Sequence, residues 1–114
     1  MILHNFEYIK IPSKTNILEA DVENVLCANN KYDTVSHVTN VAKVSSNLAE
    51  QFSLDKDTCF AAGLLHDISI IIKPEDMLGY ALDNCLELCA AERKYPFLLH
   101  QRMSKIIAHE YYEI

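Results

Sequence analysis

Four residues stand out for the chemistry they could do. His66 and Asp67 lie side by side at the end of the apolar run Ala62-Gly63-Leu64-Leu65, and His37 and His100 bracket them upstream and downstream. Two adjacent ionisable groups delivered by a buried segment are costly unless something pairs with them, and a divalent metal does so. Imidazole nitrogens with a carboxylate oxygen suit borderline first-row ions such as iron, manganese, cobalt or zinc, whereas copper(I) calls for more sulfur. A carboxylate can also bridge two such ions. Taken singly, each residue has a plainer explanation. A lone buried histidine is ordinarily a hydrogen-bonded core residue, and a His-Asp pair can be a helix cap with a salt bridge. His4 and His109 fit no part of the pattern and are expected as solvated surface residues.

The elements that must position these groups read as helices. Residues 1–14 lack sustained periodicity and are expected to form an N-terminal arm or a short strand-like segment. Asn16 with Glu19 is a weak capping-box signal, and Ile17, Leu18, Val22, Val25 and Leu26 follow at helical spacing, predicting a helix over 17–29. A second, over 34–52, opens after Asp33 or Thr34 and carries Val35, Val38, Val41, Ala42, Leu48, Ala49 and Phe52 on its apolar stripe. His37 falls at the border of that stripe and is expected to point inward at an edge. A third helix, 57–68, is apolar on nearly every side from Cys59 to Leu65, which marks a central helix packed by several neighbours. Gly63 within it leaves room for a neighbouring helix or for a bound ion and substrate; a mid-helix glycine costs about 1 kcal/mol and has such a reason.

Ile70-Ile71-Ile72 is locally β-like but too short, with no partner strand in evidence, to be more than a connection. Pro74 suits the first turn of a fourth helix, 75–83, with Glu75 and Asp76 complementing its dipole. Signals from Cys85 to Tyr95 are weak. Pro96 opens a last helix, 97–110, carrying Leu99, Met103, Ile106 and Ile107. The reading is one all-α domain of about five helices.

Composition narrows the function classes. At 114 residues the chain is long enough for one hydrophobic core, and with half its residues apolar, two glycines and three prolines it is not a disordered sequence. A net charge of −6, with ten scattered Lys and Arg, argues against a broad nucleic-acid surface; an acidic protein that handles phosphates must offset their charge locally, and bound metal ions do that. Met1–Lys10 has no apolar stretch of signal-peptide length, and no window approaches the ~20 apolar residues of a membrane span, so a cytoplasmic setting without membrane contact is expected. There, Cys27, Cys59, Cys85 and Cys89 are expected as free thiols, the first two as small core residues.

The order of a histidine, a His-Asp pair on a helix and a later histidine resembles the HD-domain metal-dependent phosphohydrolases, over roughly residues 15–114. The run Ala62 to Pro74 followed by Leu98-Leu99-His100-Gln101 is most similar to the bacterial YqeK-type group, symmetrical hydrolases of diadenosine tetraphosphate. The resemblance implies a compact HD-type helical bundle over 15–114 and a small-molecule nucleotide substrate. It also implies a divalent transition-metal cofactor, a di-iron or di-manganese centre. His37 and His66 would belong to the first metal, His100 to the second, and Asp67 would bridge them as the catalytic carboxylate. The chemistry implied is hydrolysis of the tetraphosphate to two ADP by a metal-bound hydroxide. Other expectations within the same resemblance are a nucleotidase of different specificity, or a non-catalytic helical module that binds a nucleotide or a protein.

The chain departs from the family pattern in three places. Ile70 stands in the stretch where a lysine is common soon after the His-Asp pair, and Cys85 where a turn glycine is frequent. Family members continue for several more helices that supply a further histidine and a final aspartate, whereas this sequence ends at Ile114. The expectation is therefore a fragment, or a shortened natural form that no longer catalyses, with both metal sites incomplete. Apolar surface at its last helix would then be covered by pairing with a second copy, giving a homodimer.

Overall fold

A computed structural model describes residues 1–114. The fold is all-α, without strands, and is built from six α-helices: α1 Leu18–Ala28, α2 Tyr32–Gln51, α3 Lys56–Leu65, α4 Pro74–Asp83, α5 Ala90–Lys94 and α6 His100–Tyr112. Short 3-10 turns cover Ile2–Asn5, Ile68–Ile71 and Pro96–Leu99. The helix count exceeds the sequence expectation by the short α5, whose start is fixed locally where periodicity says little. The Cys89 backbone N–H donates to Glu92 Oε1 at 3.0 Å, a capping box in a segment of one and a half turns.

α2 and α3 form the scaffold's tightest pair, and Gly63 is the reason. A Cβ built there would lie 2.6 Å from Ala42 Cα, so the two backbones approach to a distance that no other residue permits. Of the two roles open to this glycine, the structure supports room for a neighbouring helix. Around this contact the core gathers Val38, Leu64, Leu65, Ile68, Met77, Leu99, Met103 and Ile107, all essentially inaccessible to solvent. The far end of α2 departs from the expected stripe: Leu48 is 48% and Phe52 71% exposed, and with Leu54 and Cys59 they rim a shallow apolar cavity of about 320 Å³. Cys27 is only half-buried, like Cys59, and all four cysteines are free.

Helix starts differ from expectation in instructive ways. Asn16 does not cap α1; it takes a left-handed backbone conformation (φ 69°), and Asp21 reaches back instead to accept from the Thr15 backbone N–H and hydroxyl at 2.7 and 2.8 Å. α2 starts at Tyr32, ahead of both Asp33 and Thr34, and has no side-chain cap. Pro74 and the acidic pair after it open α4 as expected.

The first fourteen residues form no strand. Ile2 and Leu3 are buried in the core, and the Ile2 N–H donates to Glu110 Oε2 at 2.7 Å, tying the beginning of the chain to α6. No helix is long and apolar enough to cross a membrane.

Candidate metal centre

The central helix ends earlier than its apolar run. α3 stops at Leu65, so His66 and Asp67 occupy its exit turn and not its last helical positions. His66 terminates it: ring Nδ1 bonds the Gly63 carbonyl at 2.6 Å, one of the carbonyls that a helix end leaves without an intrahelical partner. Asp67 then leads into the 3-10 turn Ile68–Ile71, and its own carbonyl accepts from Ile70 N–H at 3.0 Å. The carboxylate is thereby held at a corner between two short elements, with its side chain 24% exposed.

The other two histidines are brought to this corner by their helices. From the second turn of α2, His37 Nε2 comes within 3.2 Å of Asp67 Oδ2; His66 Nε2 lies 3.1 Å from the same oxygen. His100 opens α6, and its Nε2 stands 3.8 Å from the opposite oxygen, Oδ1. His37, His66 and Asp67 each offer one ligand atom within 4.8 Å of the others. His37 and His66 meet edge to face with ring centroids 5.2 Å apart. All four residues singled out in the sequence converge, whereas His4 and His109 lie on the surface. The expectation that His37 points inward is met only in part, because its side chain is 54% exposed and closes the outer rim of the cluster.

The arrangement rests on groups that the sequence reading did not single out. His100 Nδ1 bonds the Phe97 carbonyl at 2.9 Å, and its ring stacks on Phe97 at 4.6 Å between centroids and 11° between planes. The register of α6 against the Asp67 turn is fixed by a buried hydroxyl pair. Ser69 N–H donates to Ser104 Oγ at 3.1 Å, Ser104 Oγ–H to Ser69 Oγ at 2.9 Å, and Ser69 Oγ–H to the His100 carbonyl at 2.7 Å. One signal was available in the sequence: the tripeptide Leu-Leu-His occurs twice, at Leu64-Leu65-His66 and Leu98-Leu99-His100, and in both the histidine bonds the carbonyl three residues before it.

These backbone bonds decide how the imidazoles present themselves. A carbonyl only accepts, so Nδ1 of His66 and of His100 carries the proton, and in the neutral ring Nε2 is left with a lone pair. Both lone pairs are aimed at a carboxylate that is itself only an acceptor, an arrangement that is repulsive unless positive charge stands between them. A divalent ion supplies that charge, and the donor set of nitrogens and one carboxylate is the kind such ions take. The residues present therefore fit a metal.

A helical domain with a His-His-Asp cluster at the exit of its central helix is the architecture this chain presents. The chain belongs to the HD-domain family, whose model matches residues 34–113 and so takes in α2 from its third residue and α3 through α6, with all four candidate site residues. The family is a superfamily of metal-dependent phosphohydrolases. The chain is also similar to an uncharacterized protein encoded in the pepC 5′ region of Lactococcus lactis subsp. cremoris, at 34% identity over 61 residues. That segment is 54% of this chain and 31% of the relative, so the chain spans well under two thirds of the relative's length. No solved structure matches the chain.

Proposed function

We propose that the chain is a hydrolase of the YqeK type that cleaves dinucleoside polyphosphates, with diadenosine tetraphosphate and water giving two ADP. In this reading His37, His66, Asp67 and His100 are the metal ligands, and Asp67 is the catalytic carboxylate. One observation carries it: the two oxygens of Asp67 face different histidines, Oδ2 toward His37 and His66 and Oδ1 toward His100. A carboxylate divided in this way is suited to hold two ions side by side, as iron or manganese pairs are held. When bound, such ions supply a water of lowered pKa and neutralise charge on the phosphate oxygens. The chain's own contribution is to hold that arrangement still. The Gly63 and Phe97 carbonyls fix the tautomers of His66 and His100, the Ser69–Ser104 pair sets the His100 backbone, and the stacked Phe97 ring keeps water from one face of His100.

A second reading, a non-catalytic module that binds a nucleotide, is favoured by the uneven donor count: Oδ1 has a single imidazole beside it, whereas Oδ2 has two. Elemental analysis of protein purified without chelator, together with chromatographic assay of diadenosine tetraphosphate and simple nucleotides, separates the two. The expected result is transition metal bound near stoichiometry and ADP as the sole product, both lost in Asp67→Ala and both retained in His4→Ala. Stoichiometric metal without cleavage of any of these compounds would leave the binding module as the better account.

A further inference from the structure

Three of the ten basic residues of this acidic chain, Lys10, Lys31 and Lys73, line one cavity of about 350 Å³ that contains no acidic residue. None of the three has a carboxylate within ion-pair distance; the Lys and Arg ion pairs of the molecule are Lys56–Glu50 and Arg102–Glu92. At the start of α4 Asp76 accepts the Tyr8 hydroxyl at 2.7 Å, and the charge of Glu75 also acts on that hydroxyl. Tyr8 in turn accepts the Lys73 backbone N–H at 3.0 Å, and its ring lies 4.7 Å from Lys73 Nζ, which ties the amino-terminal segment to the start of α4. Unpaired cations gathered in a concave site, inside a protein of net charge −6, raise the local concentration of anions.

The cavity is separated from the candidate metal cluster by one layer of residues, and none of the four candidate ligands lines it. Its wall includes Phe97, whose ring stacks on His100, and Ile70, whose N–H is bonded to the Asp67 carbonyl. Phe97 and Ile70 give its lining an apolar, partly aromatic share beside the lysines, and Ile70 is the residue that takes the place of the lysine expected after the His-Asp pair. A lysine-lined space with an aromatic wall, large enough for a nucleoside and not for a polymer, matches one ligand chemistry: a nucleoside diphosphate.

We infer that this cavity holds the far nucleoside diphosphate arm of the substrate while the bond to be cleaved lies at the Asp67 cluster, with Lys31 and Lys73 contacting phosphate oxygens. The inference rests on the hydrolase reading, yet it concerns binding that does not need the metal, so the two can fail separately.

The test is calorimetric titration of ADP into the chelator-treated protein at two salt concentrations, with circular dichroism to verify folding of each variant. Lys31→Ala/Lys73→Ala is expected to bind ADP about tenfold more weakly than wild type, with a shallower salt dependence. Lys43→Ala, on the exposed face of α2, is expected to bind as wild type does. Asp67→Ala is expected to keep ADP affinity while losing metal. In the hydrolysis assay the double variant should raise KM with kcat nearly unchanged. Equal ADP affinity in wild type and the double variant, or loss of ADP binding in Asp67→Ala, overturns the inference.

Discussion

At the scale of single residues, the histidine rings carry the argument because their backbone partners dictate where the ring proton sits. Nitrogen-15 correlation spectra of metal-free protein above neutral pH should show His66 and His100 as Nδ1–H tautomers; an Nε2–H signal for either would remove the lone pair on which metal binding depends. Tyr112 offers a contrasting case. Its hydroxyl is buried without a hydrogen-bond partner, and burial, assisted by the nearby Asp21 and Tyr111, pushes its pKa up to about 12. An orphaned buried hydroxyl is a liability, so Tyr112→Phe should leave stability unchanged or raise it by up to about 1 kcal/mol in urea denaturation. The convergence of His37, His66, Asp67 and His100 was legible in the sequence because an ordered set of ligand types is a chemical pattern that survives without knowledge of the fold. Their supports, Ser69, Ser104 and two backbone carbonyls, were not, because hydroxyls and carbonyls occur everywhere and acquire meaning only through tertiary register.

At the scale of elements, the two glycines of this chain make a matched pair. At Gly63 a methyl group would strike the Ala42 backbone, which cannot swing aside as a side-chain tip does; at Gly79, in the middle of α4, it would meet nothing within 4 Å. Gly63→Ala should therefore destabilise by about 1–3 kcal/mol through overpacking. It should also push α2 away from α3, so that His37 parts from His66 and metal affinity falls along with stability. Gly79→Ala should stabilise by about 0.4–1 kcal/mol by restricting the unfolded chain, with metal affinity unaltered. Thermal melts and metal titrations of the two variants check both. Helix positions were readable because four of the five expected segments carry a sustained 3.6-residue pattern or a proline at the first turn. What escaped was the exact exit of α3, where the His66 ring competes for the Gly63 carbonyl, and α5, which is too short to have a period. The exposed end of α2 at Leu48 and Phe52 escaped for a different reason: periodicity shows that a stripe exists and is silent on whether a neighbour covers it.

Across the whole molecule, stability should fall at both ends of the pH scale for reasons that can be assigned. Asp21 is held below its ordinary 3.8, first by the Thr15 backbone N–H and also by the Thr15 hydroxyl. The unfolded chain takes up this proton before the folded one does, so the contribution is present above 3.8 and is lost as pH falls through the lower folded value. Asp21→Asn should flatten that acid limb in denaturation curves. At the alkaline end, Tyr8 and Tyr112 both move from 10.0 to about 12, with burial the largest cause in each. Between these values the folded protein retains protons that the unfolded chain releases, so stability declines as pH rises through the window, and Tyr112→Phe should remove part of the decline.

The bond from the Ile2 N–H to Glu110 joins residues 108 positions apart, and it bears on how the protein is made. The α2–α3 pair is local in sequence and can assemble as soon as it leaves the ribosome, but Ile2 and Leu3 have no burial site until α6 exists. At about 5–20 residues per second the amino-terminal segment waits roughly 5–20 s with its isoleucine and leucine uncovered. Docking of the amino-terminal segment therefore follows the synthesis of α6 and cannot precede it.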